Sequence, residues 1–190
     1  SPKAISGISW DEKDPVIAMT VVANGQLAQL HSQQLNIVTL KGKSTEQTFQ
    51  LKEKANCIAS SPDGAWLAVG DTKGTIYVYE QRDDSWQLSS QAKVHQGKIT
   101  TIQFEKNELR FYSAGEDNKL FNTHAQGELE PLDKGRNSNP QGSIQAITLG
   151  TERFFTAADD KTVKAWPFAG GQPVTLKDSV PKPKHMALIE

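Results

Sequence analysis

The feature that most restricts the fold is a hairpin that recurs along the chain. Residues 60–79 run Ser-Ser-Pro-Asp-Gly-Ala-Trp-Leu-Ala-Val-Gly-Asp-Thr-Lys-Gly-Thr-Ile-Tyr-Val-Tyr. Pro62 presets φ and Gly64 accepts a positive φ, so positions 62–64 make a tight turn. Trp66 to Val69 form a short apolar run, a second turn follows at Lys73-Gly74, and Ile76 and Val78 then alternate with Tyr77 and Tyr79. Alternation at period 2 between turn residues predicts a β-hairpin.

Comparable units fill the chain. Strands are expected at 5–10, 15–22, 26–31 and 46–51 in the first, and at 56–60, 66–70, 75–79 and 85–88 in the second. The third has 99–104, 109–114, 119–122 and a weak strand near 128–132; the fourth has 144–149, 153–157, 162–166 and 173–176. Residues 183–190 look like the first strand of a further unit. The residues opening the second hairpin turn are placed at Asn24, Lys73, Asp117 and Asp160, which are 49, 44 and 43 residues apart. Four short strands per unit at a period of roughly 40–45 is the pattern of β-propeller blades. No segment sustains a 3.6-residue apolar period, so the fold class is all-β. One domain, 1–190, is expected. Its blades lie at about 5–51, 55–90, 95–132 and 143–177, with the start of a further blade at 183–190.

Composition narrows the function classes. Lys and Arg number 21 against 22 Asp and Glu, a net charge of −1. This gives no bulk pull toward nucleic acid or an anionic membrane. No apolar run approaches the roughly 20 residues that span a bilayer. Residues 1–3 do not open a signal peptide. The single cysteine, Cys57, sits in an apolar stretch, which rules out an internal disulfide and a cysteine-based zinc cage. Cytoplasm or nucleus is the expected compartment.

Three segments carry a family resemblance: Ser-Pro-Asp-Gly at 61–64, Ser-Ala-Gly-Glu-Asp at 113–117, and Thr-Ala-Ala-Asp-Asp-Lys-Thr-Val-Lys-Ala-Trp at 156–166. They resemble WD40 repeats. In that family a His before the first strand, a Ser or Thr in the second, an Asp in the hairpin turn and a Trp in the third form one hydrogen-bonded staple per blade. The resemblance puts His95, Ser113 and Asp117 in the third blade's staple, with Thr123 at the Trp position. It puts Thr156, Asp160 and Trp166 in the fourth, with Pro140 at the His position. The second blade has Val69, Lys73 and Tyr79 in these places, so apolar packing by Trp66, Leu67, Ile76 and Val78 is expected to hold it. The first keeps Thr20 and Asn24, with Leu30 in place of Trp.

The remaining polar groups offer little chemistry. His31, His95, His124 and His185 show no metal-ligand spacing, and His31 and His124 are expected in solvent. Gly-Lys-Ser at 42–44 lacks the preceding glycine and following helix of a phosphate loop. His95, Ser113 and Asp117 match the composition of a catalytic triad, but their positions are those of the structural staple. No cofactor is implied. The resemblance implies a non-catalytic scaffold that binds a protein or peptide through loops on one propeller face. On that face the partner-binding candidates are Asp71, His95, Lys98, Glu116, Arg136 and Asp159. The alternative is an assembly element whose open blade edges complete a ring with another copy or chain; an actin-regulating relative or a propeller enzyme stands behind both. Propellers hold roughly 4–8 blades. The four visible here would belong to a longer propeller, a ring shared with a second chain, or a small closed ring.

Overall fold

A computed structural model describes residues 14–39, 47–106, 108–129, 136–137, 142–169 and 171–177. Sixteen strands form four antiparallel four-stranded sheets, with no α-helix among the described residues. The first sheet orders β1 (Ala18–Val21), β2 (Gln26–Leu30), β3 (Gln34–Thr39) and β4 (Gln47–Gln50). The second orders β5 (Ala55–Ser60), β6 (Trp66–Asp71), β7 (Thr75–Arg82) and β8 (Ser85–Lys93). The third is β9 (Ile99–Phe104), β10 (Arg110–Gly115), β11 (Lys119–His124) and β12 (Arg136–Asn137). The fourth is β13 (Ile144–Leu149), β14 (Arg153–Ala158), β15 (Val163–Pro167) and β16 (Val174–Lys177).

The opening hairpin forms as expected, and its register sets Val69 opposite Tyr77 and Leu67 opposite Tyr79. The first sheet departs from expectation. Its first strand is 18–21 and its third is 34–39, a segment in which Gln34 and Asn36 interrupt the apolar Leu35, Ile37 and Val38. The turn at Ala23–Gly25 therefore corresponds to Pro62–Gly64, not to Lys73, and Asn24 does not open the second hairpin turn. The expected strand at 5–10 and the segment at 183–190 lie outside the described residues, as do 41–45 and Pro140. In the third sheet the outer strand among the described residues is 136–137, pairing with Lys119 and Leu120; of the strand expected near 128–132 only 128–129 are described, and they are not strand.

The first strand of each sheet lies beside the first strand of the next, β1 by β5, β5 by β9 and β9 by β13. In β5, β9 and β13 the pairing slips by one residue near the strand start, a β-bulge that frees one side chain from the ladder. The bulged residues are polar. Asn56 Nδ2 donates to the Ile99 carbonyl at 2.8 Å, and the Thr100 hydroxyl donates to the Ile144 carbonyl. Nearer the other end of the first strands, the Thr20 and Ser60 hydroxyls meet at 2.9 Å.

Apolar side chains fill the space between sheets. Leu30, Leu35, Ile37, Leu67, Val69 and Tyr79 pack between the first and second. Ile76, Val78, Ile99, Phe104 and Phe111 pack between the second and third. Tyr112, Leu120, Ile144, Phe154 and Trp166 pack between the third and fourth. Each large side chain removed from water contributes roughly 1.5–3 kcal/mol, so the stability of each sheet depends on its neighbours.

Candidate functional site

The third sheet carries the most complete polar constellation. His95 precedes β9, Ser113 lies inside β10, and Asp117 opens the β10–β11 turn. His95 Nδ1 is 3.0 Å from Asp117 Oδ1, and His95 Nε2 is 2.9 Å from Ser113 Oγ. A carboxylate only accepts, so Nδ1–H donates to Asp117, and in the neutral ring Nε2 then accepts the Ser113 hydroxyl. Asp117 also accepts the amides of Gln96 at 3.0 Å and Lys119 at 3.1 Å, which ties the loop before β9 to the hairpin turn. Burial alone would raise the Asp117 carboxyl, but the bonds from His95, Gln96 and Lys119 together hold it below its ordinary 3.8. Gly115 makes room for the arrangement: a Cβ there would lie 2.8 Å from His95 Nδ1.

These distances are those of a hydrolase triad, yet exposure decides against that chemistry. Ser113 and His95 are both 0% exposed. A nucleophile must reach an external carbonyl, and this hydroxyl is enclosed between sheets. Phe121 stands edge-on to the His95 ring at 4.9 Å, closing the site further.

At the Trp position of this sheet, Thr123 pairs with Phe111 just as Trp166 pairs with Phe154. Its hydroxyl is buried with no hydrogen-bond partner. In the fourth sheet the Trp166 indole N–H donates to Thr156 Oγ1 at 2.8 Å, and Asp160 caps its own turn by accepting the Thr162 amide and hydroxyl. The second sheet, expected to lack polar support, has a different version of it. Asp71 stands where the third sheet has Gly115, because Gly70 pairs with Ile76 as Ala114 pairs with Leu120. Asp71 Oδ1 accepts the amides of Lys73 and Thr75, each at 2.8 Å, and Oδ2 accepts the Tyr77 hydroxyl at 3.3 Å. Burial, then the Asp71 charge, pushes the Tyr77 hydroxyl above its usual range.

The partner-binding candidates separate accordingly. Asp71 and His95 are buried and committed to internal bonds, so neither presents a side chain to a partner. Lys98 and Glu116 stay at the surface and pair with each other at 3.5 Å. Asp159 is exposed, but its Oδ2 accepts the Ser143 hydroxyl at 2.9 Å and the Gln145 amide at 3.0 Å. Arg136 is placed by its backbone alone, opposite Leu120. Lys98, Glu116 and Asp159 occupy the edge formed by the loops before the first strands and the second hairpin turns.

One other expectation changes. His31 is 7% exposed, not solvated, with Nδ1 2.8 Å from the Asp14 carbonyl. Its partner lies 17 residues away, which no local pattern reveals. Cys57 is half-buried as a residue, but its thiol is enclosed 3.7 Å from the Ile99 carbonyl, and burial pushes it up to about 12. His124 is exposed, as expected.

Stacked four-stranded sheets, each with its first strand against that of the next, define blades of a β-propeller. The family model for the WD domain, G-beta repeat, matches residues 44–80, which include the recurring hairpin. The pre-rRNA-processing protein crb3/ipi3 of Schizosaccharomyces pombe is 26% identical over 83% of this chain and 39% of its own length. The pre-rRNA-processing protein IPI3 of Yarrowia lipolytica is 28% identical over 73% of this chain and 34% of its own. This chain thus spans little more than a third of these curated relatives. A chain in the crystal structure of the mitotic checkpoint complex superposes with a TM-score of 0.77, at 17% identity, over 92% of this chain and 54% of that one, a likeness of fold alone. Residues 44–80 thus match a WD40 repeat, and the chain as a whole is similar to WD-repeat proteins in sequence and fold.

Proposed function

We propose that this chain is part of a non-catalytic WD40 scaffold that holds protein partners during pre-rRNA processing. The observation that carries the reading is how the polar groups are used. His95, Ser113, Asp117, Asp71, Thr156 and Trp166 are all bonded inside the blades. The Ser–His–Asp set with triad geometry is sealed, which supports a binding role over catalysis. The groups left on the staple edge, Lys98, Glu116 and Asp159, mix both signs and suit a polar protein surface better than a phosphate backbone. The printed names of the two relatives supply the process, and a nuclear location follows from it.

Depletion of the protein from its own cells, followed by northern analysis of ribosomal RNA precursors, tests the reading. Unprocessed precursor should accumulate and be cleared by the wild-type protein. It should persist with a Lys98→Glu/Glu116→Lys/Asp159→Lys variant whose thermal midpoint is unchanged. Normal precursor levels on depletion would overturn the role.

A second reading, association through a blade edge, has its own observation. Ile17, Met19 and Val21 are 45%, 50% and 65% exposed along one side of the first blade's inner strand. Sedimentation of the full-length protein distinguishes the two, since concentration-dependent self-association is expected only if this side pairs with another copy.

A further inference from the structure

A groove opens between the first and second blades, on the edge that carries the second hairpin turns and one blade away from Lys98 and Glu116. Its volume is about 330 Å³. The floor is Thr75, Tyr77 and Ala92, from the start of β7 and the end of β8, where Thr75 pairs with Lys93 and Tyr77 with Gln91. The wall is the link between β4 and β5, residues 51–54. That link is pinned from both blades. The Leu51 amide donates to the Gln33 carbonyl at 2.9 Å, and the Lys52 carbonyl accepts Gln33 Nε2 at 3.2 Å. The Lys54 carbonyl accepts the Thr72 amide at 2.8 Å. The groove therefore has its shape before anything enters it, which keeps the ordering cost of binding low.

The charge lining the groove is unbalanced. Lys52, Lys73 and Lys93 share it with one carboxylate, Glu53. All three lysines are exposed, and none has a carboxylate within 4.0 Å among the described residues. Arg82, Lys98 and Arg110 each do have such a partner. Asp71 lies behind Tyr77, its oxygens taken up by the Lys73 and Thr75 amides and the Tyr77 hydroxyl. Even with Asp71 counted, three positive charges stand against two negative ones, in a chain whose net charge is −1. A cleft lined by one sign of charge concentrates the opposite sign within it.

From this charge complementarity we propose that the groove docks an acidic segment of a protein partner, whose Asp or Glu carboxylates meet Lys52, Lys73 and Lys93. The volume is at the small end for a binding pocket and suits one or two side chains. A nucleic-acid strand asks for something else, a continuous basic track with open ring faces for the bases. Here the flanking turns carry Gln33 on one side and the Lys98–Glu116 pair on the other, so the positive charge does not continue. The ring at the floor, Tyr77, is only 3% exposed. The inference rests on the scaffold reading for its purpose and adds the chemistry of one partner, at residues distinct from Lys98, Glu116 and Asp159.

The test uses the full-length protein and a fluorescein-labelled peptide Gly-Glu-Asp-Glu-Asp-Glu-Gly, with its Gln/Asn counterpart as the uncharged control. Fluorescence polarisation should show the acidic peptide bound at least about tenfold more tightly than the control. Lys52→Glu/Lys73→Glu/Lys93→Glu, with its thermal midpoint unchanged, should weaken binding by about tenfold or more. Glu53→Lys should tighten it by about threefold, a gain that misfolding cannot produce. Lys161→Glu, exposed on the fourth blade's hairpin turn, should change it by less than about 1.5-fold. Carbodiimide, which joins a carboxylate to an amine in contact with it, should couple the peptide to Lys52, Lys73 or Lys93, as mapped by mass spectrometry. Equal affinity for the Gln/Asn peptide, coupling elsewhere, or indifference to the triple variant and to Glu53→Lys would each overturn the proposal. So would displacement by heptauridylate as readily as by unlabelled acidic peptide, which would give the groove to nucleic acid. Loss of peptide binding with precursor accumulation intact on depletion removes the groove alone and leaves the scaffold reading standing.

Discussion

Gly74 and His95 are joined backbone to backbone across two blades. The Gly74 carbonyl accepts the amides of Val94 and His95 at 2.9 and 3.0 Å. Gly74 has φ +91°, and a Cβ on it would fall 2.0 Å from the His95 carbonyl oxygen. The second blade's hairpin turn is therefore the seat on which the third blade's staple histidine is held. Gly74→Ala meets both backbone strain and a clash with main chain that cannot rotate away. It should lower stability by roughly 2–4 kcal/mol, read as a lower urea midpoint with an unchanged slope. A change under about 0.5 kcal/mol would mean the seat is soft.

Thr123 tests the departure from the WD staple. Its hydroxyl is fully buried and unpaired, so Thr123→Val replaces a desolvated polar group by a methyl of the same shape. Stability should rise by about 1 kcal/mol. Ser113→Ala in the same sheet should have the opposite sign and cost about 1–2 kcal/mol, because it strands His95 Nε2. Urea titration of both variants side by side checks the pair.

The staple also predicts a pH dependence. The Asp117 carboxyl titrates below its unfolded value of 3.8. Its contribution is therefore fully present above that value and is lost as the pH falls through the lower folded one. Asp117→Asn should be less stable than the wild type by about 1–2 kcal/mol at pH 7, and the gap should close as the pH drops below about 4. Denaturation midpoints measured between pH 7 and pH 3 give the two curves; parallel curves would contradict the linkage.

The thiol of Cys57 should be inert while the blades are intact. With its titration pushed up to about 12, almost none is thiolate at pH 8. Reaction with a disulfide reagent should be slower than in urea by a factor on the order of 100. Equal rates in the two conditions would show that the second and third blades part readily at β5.

Sequence periodicity located the sheets because alternation and turn chemistry are local. The hairpin at 60–79 was legible for that reason, down to the facing of Tyr77 and Tyr79. The first blade was misregistered because Ala-Asn-Gly at 23–25 resembles either of the two turns in a blade, and only pairing with β3 decides which. Resemblance pointed to His95, Ser113 and Asp117 and to the Thr156–Trp166 pair, whereas Asp160 caps its own turn and joins no staple among the described residues. Asp71 was not readable in this way, since it does the same work two positions early, in space that the third blade leaves to Gly115.

The bulged residues Asn56 and Thr100 have a consequence for shape. Each spans from its own blade to a carbonyl on the first strand of the next, so the wedge between neighbouring sheets is gauged by the length of one short side chain. A change of one methylene at such a point, as in Asn56→Gln, would alter an angle, and every blade beyond it would inherit the error. Curvature across these blades is thus specified link by link, and a link of the wrong length would turn sound blades onto the wrong arc.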